Sequence, residues 1–289
     1  MKLFNKKHIG IACIVSLFSI QVYYAQIGIG TVTPEGALDL RTNDFGLIFP
    51  RVPLTAKNVQ APVVNPSGGP IVKGTVVYNT NLSHNGANDV VPGIYAWDGS
   101  QWNPQFLMKD YAKFEQDSGC LRVDTNNDES EEDFIDGLVN KTFIPKYSGI
   151  YSIKVNTNYG AGEMTNFYSG NEISLSTAEG SFYFSLSGLG VNIDPNPGGY
   201  AYDYTEGWIY THSYSTYNEL ENPDIKDTKD MHYSTVTYHK YLTAGTPYNF
   251  TLSLSIITGE GFLNNGDSGE GMGHVGHDIP CSVEFTFQE

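Results

Sequence analysis

The stretch "FIPKYSGIYSIKVNTNY", residues 143–159, alternates its side chains with a period of two. Phe143, Tyr147, Tyr151, Ile153, Val155 and Tyr159 fall on one parity; Lys146, Ser148, Ser152, Lys154, Asn156 and Asn158 fall on the other. Successive side chains of a strand point to opposite faces, so this is a strand with one aromatic, buried face and one wet face. Ile144 and Ile150 break the pattern, being apolar on the polar parity. In a monomer they are wet; in an oligomer they can be covered by a neighbouring subunit.

The same alternation recurs on both sides of this stretch, with no sustained apolar spacing of a helical kind from residue 26 onward. "YNFTLSLSII" sets Tyr248, Phe250, Leu252, Leu254 and Ile256 against Thr251, Ser253 and Ser255, and "CSVEFTFQ" sets Val283, Phe285 and Phe287 against Glu284, Thr286 and Gln288. "SFYFSLSG" alternates likewise, and in "GWIYTHSYSTY" Trp208, Tyr210, His212 and Tyr214 share a parity. Short strands punctuated by Gly, Pro and Asn turns predict an all-β chain, folded as a sandwich or barrel. Residues 26–108 differ in texture: turn residues separate brief apolar runs such as "FGLIFPRVPL" and "GTVVYNT". So little regular pattern buries a meagre core alone and suits a β-rich, stalk-like module whose copies wrap together. The richer pattern occupies 109–289, and "LMKDYAKF" marks the junction.

Residues 1–25 place Lys2, Lys6 and Lys7 before an apolar run from Ile9 to Val22 and end on a small Ala25. That is the order of a secretory signal, and the run is shorter than the roughly 20 residues a spanning helix needs. The expectation is cleavage after Ala25, secretion or display at the cell surface, and no membrane span afterwards. Of 16 basic and 32 acidic side chains, losing three lysines leaves 13 against 32, a net charge of −19. Phosphate-backbone binding needs clustered Lys and Arg, so nucleic acid is excluded as a partner. Cys120 and Cys281 remain in a compartment that permits oxidation, either bonded to each other or as two separate thiols.

Two resemblances sharpen this. "QIGIGTVTPEGALDL" (26–40) is similar to the start of many exported Bacteroidetes proteins and to repeats of trimeric phage tail fibres, and "FPRVPLT…GTVVYNT…PGIYAWDGSQWNP" (49–104) resembles the module that commonly follows. This implies a homotrimer; Tyr95, Trp97 and Trp102 belong to the module and are read as closing a small core, against a binding role. From about 111 onward, "F-x-P-x-x-S-G-I-Y-S-I" from Phe143, "YLTAGTPYNFTLSLS" from Tyr241 and the terminal strand ending at Phe287 resemble the jelly-roll heads of the complement-component and tumour necrosis factor superfamily. That resemblance implies a C-terminal antiparallel jelly-roll sandwich, neighbouring first and last strands, a Cys120–Cys281 disulfide, and binding of a glycan or protein on a trimeric surface.

Candidate chemistry is sparse. "GDSG" (266–269) lacks the histidine setting of a trypsin-like triad, and Gly271, Gly273 and Gly276 precede a proline and a strand rather than a helix, so neither a protease nor a dinucleotide cradle follows. "HVGHD" offers His274, His277 and Asp278 to a divalent metal, against the plainer reading of a His-rich surface loop. In "DTNNDESEED", Asp124, Asn126 and Asp128 carry calcium-loop spacing, but Glu129 and Ile135 stand where an EF-hand needs Gly and Glu. A looser calcium site or a solvated acidic turn remain. Among 20 tyrosines, Tyr200, Tyr202 and Tyr204, with Trp208, are candidate ligand-binding aromatics, against cover by a neighbouring subunit or ordinary packing. The reading is a non-enzyme that needs no cofactor, calcium aside.

Overall fold

The computed structural model describes residues 26–123, 132–165, 172–195, 206–220, 225–228, 230–263 and 272–288, and they contain no α-helix. The chain divides into a unit ending at Phe49 and a unit beginning at Pro50. In the first, β1 (Ile27–Ile29) and β2 (Leu38–Leu40) pair in parallel, and Arg41 binds Glu35 at 2.7 Å and Asp39 at 3.2 Å. Two three-residue strands cannot bury a core of their own. Ile27, Ile29, Leu38, Phe45 and Ile48 are accordingly exposed.

The second unit opens with a four-stranded sheet: β3 (Arg51–Val52) lies parallel to β4 (Val76–Asn79), followed antiparallel by β5 (Gly93–Trp97) and β6 (Trp102–Pro104). Leu54, Ile71, Val77, Val90, Tyr95, Trp97 and Trp102 form its core. Trp97 and Trp102 meet edge to face at 5.2 Å, and the Trp102 indole N–H donates to the Val59 carbonyl at 2.9 Å. The three aromatics therefore close a small core, as expected of them. Asn79 is fully buried. Its Oδ1 accepts from the backbone of Leu54 and Asn81, and its Nδ2 donates to the carbonyls of Asn81 and Val91, so every polar position of the amide is satisfied.

The remaining strands are β7 (Tyr111–Glu115), β8 (Leu121–Val123), β9 (Asp133–Phe134), β10 (Lys141–Phe143), β11 (Gly149–Ala161), β12 (Ile173–Gly188), β13 (Val191–Ile193), β14 (Trp208–Asn218), β15 (Ile225–Thr228), β16 (Met231–Leu242), β17 (Tyr248–Thr258), β18 (Gly273–Val275) and β19 (Ser282–Phe287). They form two antiparallel sheets. One runs β10–β17–β12–β14–β15, with β9 on β17 and β13 on β12. The other is centred on β11, which pairs with β16 along one edge and with β19 and then β18 along the other; β7 and β8 flank β19 and β18.

The opening stretch is not one strand: Phe143 ends β10 in one sheet, and residues 149–159 are nearly all of β11 in the other, the chain crossing between the sheets at 144–148. Phe143, Tyr147, Tyr151, Ile153, Val155 and Tyr159 are all buried in one core cluster, while Ile144 and Ile150 remain 58% and 38% exposed. Four phenylalanines join the sheets. Phe143 of β10 stacks on Phe285 of β19 at 4.2 Å, and Phe250 of β17 lies 5.0 Å from Phe114 of β7 and 5.5 Å from Phe285. The first and last strands of the sandwich, β7 and β19, are antiparallel neighbours.

Between β18 and β19 the strand beside β11 is interrupted, and two buried polar side chains stand in for the missing ladder. Asn158 Oδ1 accepts from Gly276 N at 2.9 Å, and its Nδ2 donates to the Ile279 carbonyl. Gln116 Nε2 donates to the Val275 carbonyl at 3.1 Å, and its Oε1 accepts from Cys281 N at 3.2 Å. Gly276 sits in the left-handed region, with φ of 71°, where a side chain would be strained and would strike Gln116.

Truncating Phe285 removes contacts to both sheets, so Phe285→Ala costs about 3–5 kcal/mol in urea unfolding, whereas Ile144→Ala on the wet face changes the stability of the sandwich by less than about 0.5 kcal/mol. Equal costs for the two variants contradict this account of the core.

Candidate functional site

In β14 the parity shared by Trp208, Tyr210, His212 and Tyr214 points away from the core: Ile209, Thr211, Ser213 and Ser215 are the buried set. The cause lies across the sandwich. The Ser213 hydroxyl accepts from the backbone N–H of Ala161, at the end of β11, at 2.8 Å and donates to the Asp230 carbonyl at 2.6 Å. Where β11 and β14 approach to hydrogen-bonding distance, only small hydroxylated side chains fit between them, so the large rings of β14 go outward.

The outer face that results is the clearest candidate for binding. Trp208 meets Tyr183 of β12 edge to face at 5.1 Å, and Tyr210, 54% exposed, stacks near His212 at 5.8 Å and donates its hydroxyl hydrogen bond to Glu179 Oε2 at 3.0 Å. The Trp208 indole N–H is buried without a partner among the described residues. Exposed Ile173 and Leu175 lie on the same face as this aromatic strip, at the far end of β12, beyond Thr177, Glu179 and Ser181. Rings of this kind stack on sugars and anchor protein contacts alike. Of the aromatics singled out in the sequence, Trp208 belongs to the strip; Tyr200, Tyr202 and Tyr204 lie outside the described residues, as do Asp124, Asn126 and Asp128. Tyr183 of β12 and Tyr210 of β14, not singled out in the sequence, join Trp208 because β12 and β14 pair side by side, with Tyr183 opposite Trp208; Tyr210 shares the parity of Trp208, the one signal that could have found it.

His212 and His232 face each other across β14 and β16 with ring centres 4.5 Å apart. His232 Nδ1 lies 3.0 Å from the Thr211 hydroxyl and accepts from the His212 backbone N–H at 3.3 Å, which needs an unprotonated Nδ1. Burial, and then the neighbouring His212, push the His232 pKa down, with Asp230 opposing.

The two histidines of "HVGHD" are brought together, His274 and His277 with ring centres 5.0 Å apart, but Asp278 turns elsewhere and accepts from the Tyr233 hydroxyl at 3.4 Å. The third group beside the imidazoles is Cys120: a ligand atom from each of Cys120, His274 and His277 lies within 4.8 Å of the others. This corrects the expected disulfide. Cys120 and Cys281 are both thiols, not bonded to each other. Although β7 and β19 are neighbours, Cys281 points into the core, and Cys120 lies beyond the end of β7, where the chain has turned into β8. Burial pushes the Cys281 thiol up to about 11, so it is chemically quiet.

Shallower hollows accompany these features. One of about 460 Å³ lies between Phe106, Leu107, Tyr111 and Phe287, and a polar one of about 280 Å³ lies over β11, β16 and β19, where Asn156 donates to Ser282 Oγ and Glu284 Oε1 and accepts from the Thr235 hydroxyl.

Residues 28–115 match the family described as a phage tail like trimerisation region, a match that runs through β7. The N-terminal module is thus tail-fibre-like, and the match supports assembly as a homotrimer. None of the curated proteins compared with the chain matches it. Among the described residues, no helix is long and apolar enough to cross a membrane.

Two outcomes follow from the buried groups. Denatured without reductant, the protein should yield two alkylatable thiols at Cys120 and Cys281, and mass spectrometry finding the pair bonded would contradict the structure. For His232 the unfolded chain takes up a proton near pH 6.5 but the folded one resists it, so the stability tied to this group is complete above about pH 6.5 and falls as the pH drops below it. His232→Gln should flatten that part of the thermal midpoint's fall between roughly pH 7 and 5; an unaltered pH profile would dismiss the role.

Proposed function

We propose that the chain is an exported, non-enzymatic adhesion or recognition protein that works as a homotrimer, carrying three jelly-roll heads on a fibre-like N-terminal module. The observation that carries this reading is the match of residues 28–115 to a trimerisation region that leads without a break into β7, the first strand of the sandwich. The first unit favours association: its apolar side chains from Ile27 to Ile48 are wet in a single copy, and sister chains would cover them. The jelly-roll assignment rests on strand order, because four strands in the order β7–β19–β11–β16 face four in the order β10–β17–β12–β14. Export rests on the basic-then-apolar order of residues 1–25.

The ligand, a glycan or a protein, would meet the outer strip at half-buried Trp208 and exposed Tyr210, with Tyr183, itself buried, backing the Trp208 ring. Three weak sites on one stalk bind together far more tightly than one, since the second and third contacts form at high effective concentration. A structural part in an extracellular fibre is the second reading, favoured by the tail-like character of the module. A jelly-roll hydrolase would need two carboxylates converging about 5–10 Å apart in a cleft.

Light scattering coupled to size exclusion should give three chains per particle; a monomer at micromolar concentration refutes the proposal. Ile150, near the start of β11, lies beside exposed Tyr241 of β16, and the two form an apolar patch at one end of an otherwise polar face. Ile150→Lys should shift the trimer toward smaller species on dilution, and an unchanged mass would place the head-to-head contact elsewhere. On a glycan array, binding by the trimer that Tyr210→Ala abolishes supports recognition through the strip. No binding to glycans or to candidate protein partners favours the fibre component.

A further inference from the structure

We propose that Cys120, His274 and His277 form a binding site for a borderline-soft divalent cation, with zinc the ion whose ligand preferences fit them. The site is a product of the short β8–β18 ribbon. In its register Leu121 faces Val275, Arg122 faces His274 and Val123 faces Gly273. Val123 and Val275 are fully buried, so the alternate positions, Arg122 and His274, point outward, and Cys120, two residues before Arg122, falls on the same outward parity. The left-handed turn at Gly276 then reverses the chain and returns His277 to that side.

The distances suit a metal. The Cys120 sulfur lies 3.4 Å from His274 Nδ1. A tetrahedral zinc with zinc–sulfur about 2.3 Å and zinc–nitrogen about 2.0–2.1 Å separates the two ligand atoms by about 3.6 Å. The third donor, on His277, is inside the 4.8 Å limit that encloses all three, so a side-chain rotation at an exposed turn completes the face of the tetrahedron. The donors also discriminate between ions. With Asp278 held by Tyr233, the set is one sulfur and two nitrogens, which suits zinc and is wrong for calcium or magnesium. Three protein ligands leave the fourth position to water or to an incoming group.

Arg122 is the local opponent. Its guanidinium lies against the His274 ring, and a cation there repels a second one. Arg122 therefore swings toward solvent as the metal enters, and the Cys120 thiol releases its proton to water as the zinc–sulfur bond forms. The bound ion would tie the segment leading into β8 to the turn after β18, across a ribbon of only three residue pairs.

The test uses the metal-stripped full chain and cobalt(II), whose spectrum reports its ligands. Cobalt should bind one per chain, with a thiolate-to-cobalt charge-transfer band and the visible bands of a four-coordinate ion, and zinc should displace it. Cys120→Ser should abolish the charge-transfer band, and Cys120→Ser and His277→Ala should each weaken zinc binding by more than about 100-fold, beyond the 10–100-fold typical of an outer-shell partner. Asp278→Asn should change it less than about twofold. Zinc should also slow alkylation of Cys120 in the unaltered protein, a readout that needs no variant to fold. No cobalt spectrum, wild-type zinc affinity in Cys120→Ser and His277→Ala, or alkylation of Cys120 at the same rate with and without zinc would each overturn the site.

Discussion

The head depends on the stack of Phe143 on Phe285. Each ring comes from a different sheet, and each is also held within its own sheet by a strand ladder, β10 on β17 and β19 on β11. Phe114 and Phe250 extend the contact, so the strands nearest both ends of the sandwich sequence, β7 and β19, are fixed to the middle ones. Aromatic pairs of this kind bury large area in a defined geometry. The β7–β19 ladder sets residues 111–115 and 282–287 side by side at this point of closure.

At the other end of β11 the sheets are joined by polarity instead. Ser213 bonds to the backbone of Ala161, while Asn158 and Gln116 replace the ladder where β18 and β19 separate. Low local dielectric makes such bonds strong when complete and costly when broken. Their consequence is functional geometry: small hydroxylated residues inside β14 force Trp208 and Tyr210 outside, and the interruption after β18 lets His277 turn back toward Cys120.

The N-terminal region obeys a different constraint. Its sheet has a real but small core around Trp97 and Trp102, while the first unit leaves its apolar side chains wet. A trimerisation match over this region accounts for both facts, because copies can share what one copy cannot bury.

Much of this was legible in the linear pattern. Alternation at period two over 143–159, 248–256 and 281–288 determined all-β structure and, for those strands, which face is buried, because a strand's side chains have no other period. The aromatics of 93–102 were read as core from the resemblance of that region to the tail-fibre-like module, and the structure buries all three. Three things only the tertiary structure decided. The bulky parity of β14 is outward because a backbone from the other sheet, more than 50 residues earlier in the chain, comes within hydrogen-bonding distance of Ser213. Cys120 is beside His274 rather than Cys281 because strand pairing carries it past the end of β7 and into register with β18. Asp278 leaves its histidine neighbours for Tyr233 because the turn after Gly276 sends His277 and Asp278 to opposite partners. Periodicity is local and survives in sequence; which side chain meets which across two sheets is set by pairing and close packing, and those exist only in the folded chain.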